Sequence, residues 1–149
     1  MRRRFASLVI ATLRRTQAPA LPAYSREGLL RAGQIEPARI AAYALLDIDQ
    51  EGILRRIVEK PNSQEYAALP NAPVSLNSWL FDATIFDACE RVPRSARGEY
   101  ELPAAVQYAI DNLGAPFRTF PVDESVLDLS SRTDIAAVAD RLSNVKVEL

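Results

Sequence analysis

The 149-residue sequence contains no histidine, one cysteine and five scattered glycines. Without histidine, histidine-based catalytic triads, imidazole general bases and histidine-rich zinc sites are excluded. A single Cys89 cannot form an internal disulfide or a cysteine cluster, and its apolar surroundings predict a small buried residue in a reducing, cytoplasmic setting. No G-x-G or G-K-[ST] pattern occurs, so this sequence carries no glycine-rich phosphate loop.

Charge is nearly balanced, with 18 Lys and Arg residues against 19 Asp and Glu residues. A net charge of -1 gives no electrostatic footprint for nucleic acid. The basic start imitates a signal peptide, but Phe5, Leu8, Val9 and Leu13 recur at helical spacing and favour an amphipathic helix. No apolar stretch is long enough to cross a membrane. We therefore expect a cytoplasmic protein that binds neither nucleic acid nor membrane.

The length and the 48% apolar content are those of one globular domain. Strand and helix patterns are mixed and include a hairpin, which predicts an α/β fold with a layered sheet. The predicted elements are a helix through Val9, a helix from Ser25 to Gly33, strands over 40–48 and 53–59, a loop over 61–73, a strand over 74–81, helices through Ile85 and over 102–113, strands over 117–122 and 125–129, and a final helix from Ser131.

Glu59-Lys60-Pro61 stands where the second strand of the hairpin must stop. Pro61 lacks a backbone donor and pushes Lys60 towards an extended conformation. Neighbours on a strand point to opposite faces, so Glu59 and Lys60 are poorly placed to neutralise each other. The chain has sixteen arginines and two lysines, and a lysine is a compact charge that suits a phosphate oxygen. A solvated acid–base pair and a pair of ligand contacts are both open interpretations.

Two further polar residues have open interpretations. Asn77 would share a strand face with Trp79 and Phe81. That arrangement suits the wall of a ligand cleft, and equally a buried asparagine satisfied by the backbone. Asp128 precedes the final helix and, by itself, is typical of a turn.

Four short motifs occur in a characteristic order along the chain. They are Glu59-Lys60-Pro61, Val74–Asn77, Arg97–Leu102 and Val126–Leu129. From about Leu29 to Leu142, the ordered set resembles the second half of the sugar-1-phosphate nucleotidyltransferases of the glucose-1-phosphate thymidylyl- and uridylyltransferase type. The resemblance implies a partial nucleotide-diphospho-sugar transferase (Rossmann-like) mixed sheet flanked by helices. It also implies that a sugar 1-phosphate attacks the α-phosphorus of a nucleoside triphosphate and releases pyrophosphate with Mg²⁺ assistance.

The resemblance also implies roles for individual residues. Lys60 would hold the sugar phosphate, Glu59 would accept hydrogen bonds from sugar hydroxyls, and Asn77 would contact the sugar. Glu99 would contact the sugar or brace the cleft. Asp128 would be one of the carboxylates that bind Mg²⁺, a cation that prefers oxygen ligands.

The sequence departs from this family where the nucleotide should bind. The family's glycine-rich loop and its other metal-binding aspartate would precede residue 1, Pro103-Ala104 stands where an acidic residue is common, and Val126 replaces an aromatic. We therefore expect residues 1–149 to form a single partial domain. It would bind a sugar 1-phosphate, would bind a nucleoside triphosphate only with the missing half, and would be inactive alone because of truncation, gene splitting or a misplaced start.

Two alternatives remain open at this point. The chain would be a non-catalytic binding or regulatory module that pairs with a full-length homologue or with itself, because missing central strands would leave open sheet edges. Otherwise the motifs would coincide by chance in an unrelated α/β domain.

Overall fold

A computed structural model describes residues 5–31, 35–129 and 131–143 of the chain. Five strands form one mixed sheet in the order β3-β2-β4-β1-β5, which confirms the predicted α/β fold class. The elements are α1 (Phe5–Arg15), β1 (Ala20–Tyr24), α2 (Arg26–Arg31), α3 (Pro37–Ile40), β2 (Ala44–Ile48), β3 (Leu54–Val58), α4 (Ser63–Ala68), β4 (Val74–Ser75), α5 (Thr84–Arg91), α6 (Leu102–Leu113), β5 (Arg118–Val122) and α7 (Asp134–Leu142).

One row of paired residues crosses all five strands. It runs Val58, Leu45, Val74, Tyr24 and Val122, with β1 and β5 parallel and the other pairs antiparallel. All five residues are buried in one core, which is covered by residues of α1, α2 and α3. Full burial of a large aliphatic side chain stabilises a fold by about 1.5–3 kcal/mol, so this row fixes the register of the sheet.

A second core lies on the opposite face of the sheet. It joins Leu21, Leu46 and Ile57 of the strands to Val106 of α6 and to Phe117. The apolar spacing of α6 predicts this helix, and the structure confirms it with Pro103 in the first turn. Gly114 ends the helix in the left-handed conformation, at φ 64°, where a glycine is least strained. The sheet is therefore sandwiched between two helical layers.

The outer edge of β3 is covered by the side chain of Gln107. Its Oε1 accepts from the Ile57 amide at 2.9 Å, and its Nε2 donates to the Arg55 carbonyl at 3.3 Å. A neighbouring strand would make the same two bonds. The amide group of Gln107 therefore satisfies the same two backbone groups of β3 that a sixth strand would.

The outer edge of β5 is closed in a different way. The Arg118 amide donates towards β1, to the Pro19 carbonyl. Because backbone groups alternate in direction along a strand, those of Thr119 and Pro121 face away from β1. Thr119 donates to the Gly52 carbonyl at 2.8 Å, and a proline has no amide hydrogen to donate. The expectation of open sheet edges is therefore not met at the outward donors of β5.

Strand β1 was not among the predicted strands, because Pro22 argues against a central strand. The structure accommodates this proline through an interruption of the neighbouring strand. β1 meets its antiparallel partner only at Tyr24, opposite Val74, and at Ala20, opposite Leu80. Pro22 faces the gap between these two contacts, where no partner requires its missing donor.

Several other predicted elements are wrong in detail. The strand predicted over 40–48 begins only at Ala44, because Pro37 starts a short helix that ends at Ile40. The predicted loop over 61–73 contains α4, which Asn62 and Glu65 cap reciprocally. The strand predicted over 125–129 is absent from the described residues there. The predicted helix end at Gly33 lies outside the described residues.

Cys89 is exposed on α5, so the prediction of a buried cysteine is wrong. It lies one position after the buried Ala88, and on a short amphipathic helix that step turns a side chain towards solvent. Among the described helices, none is both long and apolar enough to span a bilayer.

Candidate functional site

The backbone is left-handed at two of the predicted site residues. Lys60 has φ 48° and Asn77 has φ 54°, and in the described part of the chain these are the non-glycine residues with positive φ. Such a conformation costs about 1–2 kcal/mol for a residue such as lysine, whereas asparagine adopts it more readily. It is common at functional sites. The extended conformation predicted for Lys60 is therefore wrong. Strand β3 ends at Val58, and the regular alternation of side chains ends with it, before Lys60 and Pro61.

Four charged groups surround the end of β3. Partial burial raises the pKa of the Glu59 carboxyl, while the charges of Lys60 and Arg97 lower it and that of Glu101 raises it. Lys60 and Arg97 therefore act on Glu59 through their charges. The structure also brings the third sequence motif, through Arg97 and Glu101, to the first.

The Gly-Glu turn carries these groups. Gly98 has φ 78° and donates to the Ser95 carbonyl at 2.8 Å, and the Ser95 amide donates to the Glu99 carbonyl at 2.8 Å. A left-handed glycine therefore closes the turn. Glu99 is exposed, with its Oε2 3.8 Å from Arg97 Nη2.

Arg97 was not named as a site residue, and the structure makes it the centre of the turn. Its guanidinium contacts the Glu101 carboxylate directly. Glu101 is the N-cap residue, immediately before α6. The contact with Arg97 lowers the pKa of Glu101. The available signal in the sequence was an arginine at position 97 followed by acids at positions 99 and 101.

Asn77 lies between two points at which the chain contacts the sheet. Ser75 pairs with Ala44, and Leu80 bridges to Ala20. Asn77 itself is exposed, and its left-handed backbone breaks the alternation that predicted a shared face with Trp79 and Phe81. Those two rings stack at 5.8 Å and pack against the core instead.

Two buried polar atoms flank Asn77 in the sequence. Ser75 Oγ and Trp79 Nε1 have no hydrogen-bond partner among the described residues. Buried polar groups are nearly always satisfied in folded proteins, and the exceptions require an explanation. Both atoms belong to the segment that also holds the left-handed Asn77.

Asp128 is part of a second group of polar residues. The Tyr43 hydroxyl donates to Asp128 Oδ2 at 2.7 Å, and Arg39 Nη1 lies 3.6 Å from the same oxygen. Arg39 also binds both carboxylate oxygens of Asp134, at 3.3 and 2.9 Å. The hydrogen bonds from Arg39, and after them those from the amide and hydroxyl of Ser131, lower the pKa of Asp134 to about 2. We call Arg39, Tyr43, Asp128 and Asp134 the Arg39 cluster.

The structure gives the two groups of residues different surroundings. Glu59 has its charged neighbours at the start of α6, which packs on one face of the sheet. Asp128 contacts Tyr43, which packs on the opposite face. Of the predicted site residues, Glu59, Lys60 and the Gly-Glu turn thus come together, and Asp128 has contacts of another kind.

The residues at Asp128 do not fit a magnesium site. Mg²⁺ takes about six oxygen ligands at about 2.1 Å, and no cluster of three metal-ligating side chains occurs within the described ranges. One Asp128 oxygen, Oδ2, already accepts a hydroxyl and lies 3.6 Å from a guanidinium nitrogen, so the carboxylate has a positive neighbour. The Mg²⁺ expected from the resemblance thus finds no prepared set of ligands here.

Comparison with known proteins supports the fold assignment. No protein-family model matches the chain. The chain is similar to UTP-bound UGPase from Acinetobacter baumannii, with a TM-score of 0.63 and 19% identity over 94% of this chain and 45% of that one. It is also similar to a UDP-glucose pyrophosphorylase complexed with UDP-glucose, with a TM-score of 0.64 and 12% identity over 96% and 49% of the two chains.

Two further proteins are similar to this chain. CMP:2-keto-3-deoxy-manno-octonic acid synthetase complexed with CTP matches with a TM-score of 0.58 and 12% identity, over 96% of this chain and 57% of that one. The low-salt glycan biosynthesis nucleotidyltransferase Agl11 of Haloferax volcanii is 30% identical over 76 residues, which are 47% of this chain and 20% of that protein. The chain thus has the fold of the nucleotide-diphospho-sugar transferases, and it spans a fifth of the curated relative and about half of the solved neighbours.

Proposed function

We propose that this chain is the sugar-phosphate-binding part of a sugar-1-phosphate nucleotidyltransferase of the thymidylyl or uridylyl type. The observation that carries the proposal is the backbone at Lys60 and Asn77. Both residues were selected from sequence motifs alone, and both are held left-handed. At Lys60 this conformation is strained, and such strain persists where the surrounding structure requires it, whereas asparagine adopts it more readily.

The charges around Glu59 support a sugar phosphate as the ligand. Lys60 and Arg97 are cations that suit phosphate oxygens. Glu59 and Glu99 are acceptors that suit sugar hydroxyls, and Asn77 can donate as well as accept. Partial burial of the Glu59 carboxyl strengthens its hydrogen bonds to a ligand.

The role of these residues in catalysis would be to bind and orient. Lys60 and Arg97 would partly neutralise the sugar phosphate, so that its oxygen approaches another phosphate with less repulsion. Nucleoside triphosphate binding would require residues that this sequence does not supply. We therefore propose that the chain alone is inactive.

A binding experiment on the purified 149-residue protein tests the proposal. We expect saturable binding of glucose 1-phosphate in calorimetry or in an amide NMR titration, with weaker binding of inorganic phosphate or glucose. Lys60→Ala should weaken glucose 1-phosphate binding by at least about tenfold, the effect of losing one charge-assisted hydrogen bond.

Arg91→Ala is the matched control, because it removes one positive charge from the exposed end of α5. Glucose 1-phosphate binding should be the same in this variant and in the wild type. Failure of the wild type to bind, or equal binding by the Lys60→Ala variant, would contradict the proposed site. Steady pyrophosphate release by the isolated chain would contradict the proposed inactivity.

A non-catalytic sugar-phosphate-binding module is the second candidate. The observation that favours it is Arg39, which already compensates the carboxylate expected to bind metal. Such a module would bind glucose 1-phosphate as above. It would restore no pyrophosphate release when mixed with the nucleotide-binding half of a related enzyme, whereas the first candidate would.

A further inference from the structure

We infer that Arg39 is a built-in cation that takes the place of a divalent metal at Asp128. In that role it would attach the C-terminal segment 125–142 to the rest of the fold without metal. The inference does not rest on the proposed sugar site, since it concerns residues that pack on the other face of the sheet. It begins from the disagreement between the Mg²⁺ expected at Asp128 and the contacts around it.

The geometry of Arg39 is that of a counter-ion shared by two carboxylates. Both terminal nitrogens bind Asp134, at 3.3 and 2.9 Å, and Nη1 also lies 3.6 Å from Asp128. The three side chains are between 19% and 30% exposed. A guanidinium keeps its charge at any working pH, so the carboxylates have a permanent positive neighbour.

Tyr43 completes the arrangement on the side of Asp128. Its hydroxyl donates to the same oxygen that faces Arg39. A divalent ion bound to this oxygen would share it with the hydroxyl, and it would lie within about 6 Å of the guanidinium nitrogen. The repulsion between the two cations is several times larger in a partly buried site than in water. The cluster should therefore exclude divalent metals.

The cluster joins distant parts of the sequence. Arg39 lies in α3 and Tyr43 just before β2, whereas Asp128 follows β5 and Asp134 opens α7. No residue of α7 is buried, so this helix has little apolar attachment to the core. Its position should therefore depend on Arg39.

Metal titration of the whole chain tests this inference. We expect Mn²⁺ to cause no localised paramagnetic broadening at 125–142 in the wild type, and Mg²⁺ at millimolar concentration to leave the Tm unchanged. Arg39→Gln should remove the guanidinium from Asp128 and Asp134. This variant should then bind Mn²⁺, and Asp128→Asn in the same variant should weaken that binding at least tenfold.

Hydrogen exchange gives a second measurement that does not involve metal. In the chelator EDTA, amides of α7 should exchange at least tenfold faster in Arg39→Gln than in the wild type, while those of α6 stay unchanged. Arg39→Lys keeps the charge and should exclude Mn²⁺ as the wild type does, which covers the case in which Arg39→Gln fails to fold.

Three results would overturn the inference. The first is saturable Mn²⁺ binding by the wild type that Asp128→Asn abolishes. The second is a folded Arg39→Gln variant that gains no Mn²⁺ binding. The third is Mn²⁺ binding by Arg39→Lys. None of these measurements uses a sugar phosphate, so their failure is distinct from a failure of the proposed function.

Discussion

Glu59 and Asp128 are carboxylates that follow the ends of β3 and β5, and their surroundings differ. Glu59 follows the end of its strand, where burial raises its pKa, nearby cations lower it, and its neighbour Lys60 is strained. Asp128 accepts a hydrogen bond from a hydroxyl and lies near a guanidinium. The first arrangement combines charges of both signs with backbone strain, and in the second a hydroxyl and a guanidinium already contact the carboxylate.

The largest expected effect comes from removing the central cation of the Arg39 cluster. Arg39→Ala removes the guanidinium that contacts both Asp128 and Asp134 and should lower the midpoint of urea unfolding, because two partly buried carboxylates lose a cationic partner. Arg97→Ala removes an exposed arginine that also contacts two carboxylates, and should lower that midpoint less. Urea denaturation measures both. Equal losses would mean that the two clusters do not differ as described.

Lys60→Gly should separate stability from binding. Glycine has no side chain to strain the backbone at φ 48°, so the variant should be more stable by about 1 kcal/mol. It should nevertheless bind glucose 1-phosphate at least about tenfold more weakly, because the ammonium is gone. Lys60→Ala is the control, since it should lose binding without gaining stability. A less stable Lys60→Gly variant would show that Lys60 supports the fold.

The smallest expected effect concerns pH at Glu59. Its pKa is raised by burial, so the folded state holds the proton more tightly than the unfolded state does. The resulting penalty is absent below the ordinary glutamate pKa and develops as the pH rises through the folded-state value. Glu59→Gln should remove this pH dependence and change stability near neutral pH by no more than about 0.5 kcal/mol. Thermal unfolding from pH 4 to 7 measures it, and an unchanged pH profile would contradict the role of burial.

The helices that carry periodic apolar residues could be predicted from the sequence, as α6 illustrates. The strand β1 could not, because Pro22 is tolerated only through an interruption in a neighbouring strand. The helix α4 was hidden among prolines, although Asn62 and Glu65 do form a capping box. Local signals therefore sufficed where an element depends on its own periodicity, and failed where a neighbour decides.

The candidate site divides in the same way. The four motifs selected Lys60 and Asn77, whose left-handed backbones no pattern of residue types predicts. Glu59 and the Gly-Glu turn were selected separately, and their proximity depends on how α6 packs beneath the sheet. The contact of Asp128 with Tyr43 spans 85 residues, and no local signal connects positions so far apart. The roles assigned to these residues stay predictions.

The side chain of Gln107 has a practical consequence for the measurement of weak ligands. Gln107 bonds two backbone groups at the edge of β3. At the edge of β5, the Thr119 amide is already bonded and Pro121 has no amide hydrogen. At these two edges, a strand of another molecule therefore finds few backbone groups to pair with. We expect concentrated solutions to resist aggregation through these edges, so that spectra at high protein concentration can detect a sugar phosphate that binds too weakly for calorimetry.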